Sequence, residues 1–437
     1  MKEIKINFKN TLLNKELIEK EGERLDAEIQ TVRDLHAGYE TPYSFINLPF
    51  DEQYQAIIEQ LVSEKKQLKP TLIVVIGIGG SNLGTIAIIE SVLGKFYNED
   101  QKRPKIYFAD TVDTNYINAI YQLCERELEN DNTILINAVT KSGTTTETIA
   151  NFEVFLNLLI KYRPADYQQY VVVTTDQGSC LEAIAQEKKF AILSIPKQVG
   201  GRYSVFSAVG LFAFVMLDID IRSLLAGARD ITTICISKEI ENNYAAKSAI
   251  IKYLHYKNDI IINDLFVFSV QLESIGKWYR QLMGESIGKE FDTENQRVNT
   301  GITPTVSVGS IDLHSVGQLY LGGPRDKFIT FLTIEKLKNE LTLPTFKEFD
   351  NCVANIQGKS LSYILDAIVK GVKIAYQNDN RPFYSIELPE LSAYYVGQLL
   401  QMYMIEMVYL GYLLKVNPFD QPNVELYKKE TRKILAQ

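Results

Sequence analysis

The chain has 437 residues, of which 46% are hydrophobic and 23% charged. This is the composition of a globular protein large enough for two or three domains. A formal net charge of −8 without a long basic run argues against non-specific nucleic-acid binding, which needs a concentrated cationic surface. No stretch approaches the roughly 20 apolar residues of a membrane span, and the first residues carry no apolar leader core, so no signal peptide and no membrane partner are expected.

Residues 1–45 read as a polar, helix-rich arm. From about residue 70, apolar runs at 71–76, 105–109, 133–139, 170–174 and 191–195 predict buried strands. Amphipathic stretches at 83–95, 113–127, 146–161 and 180–189 predict the helices between them. Strand and helix in steady alternation imply crossovers and a parallel sheet covered on both faces. The apolar run 207–218 reads as a buried helix within a helical stretch near 203–257. A second alternating region follows, with strands at 259–268, 303–308, 328–333 and 383–387 and helices at 274–285, 311–320, 360–377 and 390–414. The fold class is therefore α/β, with two αβα sandwiches and helical extensions at both ends. The expected division is an arm 1–45, a first sandwich 46–205, a second 206–414 and a tail 415–437. No flexible linker separates the sandwiches, so rigid packing and a ligand cleft at the carboxyl ends of strands are expected.

Two glycine- or hydroxyl-rich loops follow predicted strands. The first is Gly77-Ile-Gly-Gly80-Ser81-Asn-Leu-Gly84. It lacks the third glycine of a dinucleotide fingerprint, since Asn82 stands there, and it lacks the lysine of a nucleoside-triphosphate loop. Asp110, after the next strand, would be the ribose-binding carboxylate under a dinucleotide reading; a plain tight turn is the other alternative. The second loop, Thr140-Lys141-Ser142-Gly-Thr-Thr145-Thr146, places five hydroxyls within seven positions. A helix cap uses one hydroxyl, whereas a phosphate monoester has three acceptor oxygens and up to two charges. The excess favours a phosphate site at a helix start.

Further along, Gly200-Gly-Arg202-Tyr-Ser lets the backbone turn sharply before an arginine able to hold a developing oxyanion. Gln281 and Glu285 lie four apart and share a helix face, and Glu285 near a helix end faces an unfavourable dipole that suits a base. Three histidines occur, His36, His255 and His314, none at metal-ligand spacing. Of these, His314 opens a predicted helix just after a strand. Four scattered cysteines, Cys124, Cys180, Cys235 and Cys352, show no CxxC pairing, which points to reduced, core-filling thiols and a cytoplasmic protein. No metal or redox cofactor site is evident. In the tail, Asn417-Pro-Phe-Asp-Gln421-Pro turns the chain into a basic helix.

These segments together resemble the glucose-6-phosphate isomerases of the shorter bacterial type. The resemblance is carried, in order, by Gly77–Ser81, Thr140–Thr145, Val199–Ser204, Gly284–Lys289, Asp312–Ser315 and Phe419–Lys428. It implies two sugar-isomerase-type domains, a homodimer, no cofactor and a phosphosugar substrate. It also implies roles. Gly80, Ser81, Thr140, Lys141, Ser142 and Thr145 would hold the phosphate, and Gln281 and Gln421 would line the sugar. Glu285 would move the proton between C1 and C2, Arg202 would stabilise the cis-enediolate, and His314, with Lys428 nearby, would open the ring. Lys428 is preferred to Lys429 by its place seven residues after Gln421. Thr140 replaces the serine common at the start of the hydroxyl loop, which keeps the hydroxyl and adds a methyl. The alternatives are a phosphosugar sensor, which leaves Glu285, Arg202, His314 and Lys428 without a use, and an isomerase of another phosphosugar such as mannose 6-phosphate.

Overall fold

A computed structural model describes residues 3–35 and 38–437; His36 lies outside them. The described strands are β1 (Lys5–Asn7), β2 (Leu72–Ile76), β3 (Lys105–Ala109), β4 (Ile134–Val139), β5 (Val171–Asp176), β6 (Ala191–Ile195), β7 (Ile262–Val267), β8 (Lys289–Phe291), β9 (Arg297–Thr300), β10 (Thr303–Val308), β11 (Lys327–Lys336) and β12 (Phe383–Glu390). Chain packing defines two compact units, Thr31–Arg229 and the stretch up to Gln30 together with Asp230–Gln437.

In the unit Thr31–Arg229 the sheet order is β3-β2-β4-β5-β6, and every pairing is parallel. Parallel strands are covered on both faces, so they read as unbroken apolar runs. Leu72–Ile76 and Ile134–Val139 are buried at every position. The connecting helices begin where the sequence supplies caps: Asp113 accepts from the amides of Asn115 and Tyr116, and Ser179 accepts from that of Glu182. Their apolar stripes close a core that includes Ile120, Phe152, Phe155 and Leu158. The boundary expected at 205/206 lies at 229/230 instead. The apolar helix Ala208–Met216 is buried at all but one position, and Thr85 donates to the carbonyl of Val209 at 3.2 Å, which ties it to the first sheet's layers.

The other unit has the order β1-β12-β11-β7-β10. All of its pairings are parallel except β1 with β12, which is antiparallel. Residues 5–7 therefore form an edge strand, not part of a helical arm; the helices Lys15–Glu23 and Asp26–Arg33 follow it. The predicted helix 311–320 is two pieces, a 3₁₀ turn Ile311–His314 and a short helix Gly317–Gly322. The small β8–β9 hairpin is additional. The helix Ala393–Leu413 is buried along nearly its whole length, and its Glu406 pairs with Lys252 at 2.6 Å in the core. Cys124 and Cys235 fill cores, but Cys180 and Cys352 are exposed, so core filling describes only half of the thiols. No helix among the described residues is long and apolar enough to cross a membrane.

Candidate active site

Parallel pairing sets the geometry of the glycine and hydroxyl loops. β2 and β4 are neighbours, with Ile76 opposite Ala138, so the chain leaves both strands side by side at their carboxyl ends, where sites in such sheets form. Gly77 lies against the end of β4: a Cβ there would stand 2.9 Å from the Val139 carbonyl oxygen. Gly79 to Ser81 form a 3₁₀ turn. Asn82 does not cap the following helix; its amide donates to the Asp110 carboxylate at 2.9 Å. Asp110 is thus engaged by the residue that stands in place of a fingerprint glycine.

The hydroxyl loop is organised internally. Thr140 and Thr145 share a hydroxyl–hydroxyl bond of 2.9 Å, and Ser142 Oγ accepts from the amide and hydroxyl of Thr144 at 3.3 and 3.1 Å. Thr175 donates to the Thr140 carbonyl at 2.7 Å, and the Asp176 amide to the Lys141 carbonyl at 3.2 Å. The helix Thr146–Tyr162 starts at Thr145, which makes no side-chain capping bond among the described residues. Capping therefore does not account for the hydroxyls. The first amides of that helix keep their capacity for an anion.

The third segment joins the first. Gly80 touches the backbone of Gly201 and Arg202 so closely that a Cβ would lie 2.3 Å from the Gly201 carbonyl carbon. Arg202 is 3% exposed, with its guanidinium over the Tyr203 ring. A buried guanidinium beside a glycine loop is a fixed positive charge in low dielectric, where it acts most strongly on an anion.

Burial lowers the Lys141 ammonium from its usual value; Asp176 opposes that and Lys197 adds to it. Burial also pushes the Asp176 carboxyl up to about 6, against the pull of Lys141 and Lys197, and its Oδ1 has no hydrogen-bond partner among the described residues. A carboxyl raised above its ordinary value of 3.8 destabilises the folded state when charged. That cost is absent at low pH, accrues as pH rises through 4 to 6, and persists above. Asp176→Asn is therefore expected to raise the melting temperature more at pH 7.5 than at pH 4.5. Melting curves showing an equal shift at both pH values would refute this.

In the other unit, the helix Glu273–Ile287 packs along β10. Gly276 lies against Val306, and Gly284 is near Pro304. Gln281 donates to Glu285 Oε1 at 3.1 Å, and the Gln281 Oε1 atom is buried without a partner among the described residues. Lys289 donates to the Glu285 carbonyl at 2.8 Å and to Asp420 Oδ1 at 3.0 Å. This brings the turn preceding Gln421 to the end of the helix. Neither Lys289 nor Asp420 was assigned a role from sequence, although a lysine just past a helix end is a recognisable signal.

His314 is exposed in its 3₁₀ turn. Asp312 shapes that turn by accepting from the Val308 amide at 2.7 Å and from Ser315 Oγ at 2.7 Å. Glu285 stands by the start of β10 and His314 follows its end, separated by about 13 Å of strand at ~3.3 Å per residue. Lys428, on the helix Val424–Leu435, donates to Glu425 at 2.8 Å. His255 is no proton carrier at neutral pH, since burial lowers it to about 4 and its ring stacks on Phe328.

Two α/β units with mainly parallel sheets, one bearing adjacent glycine and hydroxyl loops, place the chain in the fold class of a solved glucose-6-phosphate isomerase. The phosphoglucose isomerase family model matches residues 57–437, and the chain belongs to that family. A glucose-6-phosphate isomerase of Carboxydothermus hydrogenoformans is 33% identical over 399 residues, covering 90% of this chain and 84% of the relative. Among solved structures, a hypothetical protein of Thermus thermophilus matches with TM-score 0.88 at 30% identity, covering 99% of this chain and all of that one. The glucose-6-phosphate isomerase of Chlamydia trachomatis shares the fold with TM-score 0.83 at 20% identity, covering 99% of this chain and 88% of that one.

Proposed function

We infer that the chain is a glucose-6-phosphate isomerase, interconverting glucose 6-phosphate and fructose 6-phosphate. The observation that carries this reading is the family match across residues 57–437. The uncapped helix behind a self-paired hydroxyl cluster supports it locally.

The residue roles follow from the reaction. The phosphate is chemically inert and serves as a handle: Gly80, Ser81, Thr140, Lys141, Ser142 and Thr145 hold it, and its binding energy orients the sugar. His314 and Lys428 move the protons that open the ring. In the open aldose, Glu285 takes the proton from C2. The freed electron pair forms the C1–C2 double bond, and O1 becomes an oxyanion. Arg202 balances the charge of this cis-enediolate. A proton passes from O2 to O1, Glu285 returns its proton to C1, and C2 becomes the carbonyl. Gln281 and Gln421 hold sugar hydroxyls; the buried Oε1 of Gln281 is an acceptor suited to one.

His314 and Glu285 lie at opposite ends of β10, so the reading includes a homodimer in which His314 serves the partner's site. Two-fold symmetry then supplies both sites equally. The direct test of the activity is the purified protein incubated with glucose 6-phosphate in buffer containing a chelator. Fructose 6-phosphate should accumulate to equilibrium. Binding without conversion would favour a sensor, and faster turnover of mannose 6-phosphate would favour a different isomerase.

A further inference from the structure

We propose that Lys289 is a positioning residue for the isomerisation, its ammonium clasping the helix end that carries Glu285 to the turn that leads into Gln421. This rests on the reading of Glu285 as the base. The Lys289 side chain is 4% exposed. Its Nζ donates to the Glu285 carbonyl at 2.8 Å, to the Asp420 carboxylate at 3.0 Å and to the Asp420 carbonyl. An ammonium has three donors, and among the described residues these acceptors meet it.

A buried ammonium is costly unless paired and hydrogen-bonded, so an aliphatic side chain would fill the same space at lower cost. What only the ammonium supplies is the link. Glu285 sits in the last turn of the helix Glu273–Ile287, where carbonyls lack intrahelical partners and the dipole is negative. Lys289, four residues on, answers both needs and fixes that turn to Asp420. Gln281 holds the Glu285 carboxylate from the preceding turn. The carboxylate is thus set by its own helix, and the helix end by Lys289. The Asp420 side chain is about half exposed, so water screens its share of the attraction. The two carbonyl bonds carry more of the constraint than the ion pair.

The test compares Lys289→Met, Lys289→Arg and Asp420→Asn, with Glu285→Gln in parallel. The measurements are kcat, KM, thermal unfolding, and the fate of the label from C2-deuterated glucose 6-phosphate. Return of deuterium to C1 competes with exchange into water, so it reads the alignment of the base; loss of folded protein lowers kcat but leaves that ratio alone. Lys289→Met should lose about 100-fold in kcat, the scale of a ~1 Å misplacement, with KM changed by less than about threefold and less label returned to C1. Lys289→Arg should recover most of kcat, and Asp420→Asn should lose less than about tenfold. Lys289→Met keeping kcat within about threefold of the parent, or losing it with label return unchanged, overturns the proposal. If Lys289→Met does not fold, Asp420→Asn carries the test, and label return unchanged in it overturns the proposal. Glu285→Gln separates the two readings. If it is inactive while Lys289→Met is normal, only the clasp falls; if it is active, the base assignment falls as well.

Discussion

Glu285→Gln is expected to cut turnover about 10²- to 10⁴-fold, the range a positioned general base contributes, with phosphosugar binding held within a few-fold. Glutamine keeps the size of the side chain and an oxygen to accept from Gln281, but it cannot take a proton from carbon. Binding should persist because the hydroxyl loop proposed to hold the phosphate is built on different strands and holds itself together through the Thr140–Thr145 bond. Steady-state kinetics and titration with a phosphorylated sugar acid check the two halves. Turnover within about tenfold of the parent would remove Glu285 from the role. The same variant tests the dimeric arrangement. Chains carrying Glu285→Gln, mixed and reassembled with equally inactive His314→Ala chains, should regain about a quarter of the parental activity. Half of the dimers are then mixed, and one of the two sites in each is intact. No recovery would place His314 outside the partner's site.

Gly80→Ala is expected to destabilise the protein by about 2–4 kcal/mol and to cost about 100-fold in activity. The new Cβ would stand 2.3 Å from the Gly201 carbonyl carbon and 2.6 Å from the Arg202 nitrogen. Both are backbone atoms, so no rotamer change relieves the contact. The two loops must part, and Arg202 moves with its own main chain. Gly201→Ala is the control. Its Cβ would meet the Gly80 Cα at 3.7 Å, an ordinary contact, and the expected change is below about 1 kcal/mol. The two glycines face each other, yet only one of them is required. Thermal unfolding and kcat/KM of both variants decide the matter, and equal behaviour of the pair would contradict the geometry.

The core strands were legible because most are largely apolar stretches bounded by turn residues. The predicted 105–109, 191–195 and 303–308 coincide with β3, β6 and β10. β1 was not legible. Lys-Ile-Asn has no periodicity of its own and becomes a strand only by pairing with Glu387, Ile386 and Ser385. The helix expected across 311–320 breaks because Asp312 takes the Val308 amide and holds a tighter turn. At the site, loop chemistry could be read from residue types, since hydroxyls and glycines declare themselves locally. Contacts between distant segments could not. The engagement of Asp110 by Asn82, the touching of Gly80 and Gly201, and the Lys289–Asp420 link each depend on where the sheet delivers its loops.

The pairing of β1 with β12 also bears on how the polypeptide is made. Lys5 and Glu387, bonded at 3.3 Å, are 382 residues apart, an interval that occupies a ribosome for roughly 20–80 s at about 5–20 residues per second. For that time the earliest strand has no complementary edge, while Thr31–Arg229 is synthesised whole and is free to close on itself. Translation thus completes the unit Thr31–Arg229 before the other unit is closed, so a nascent chain stalled before β12 would leave β1 without its partner strand.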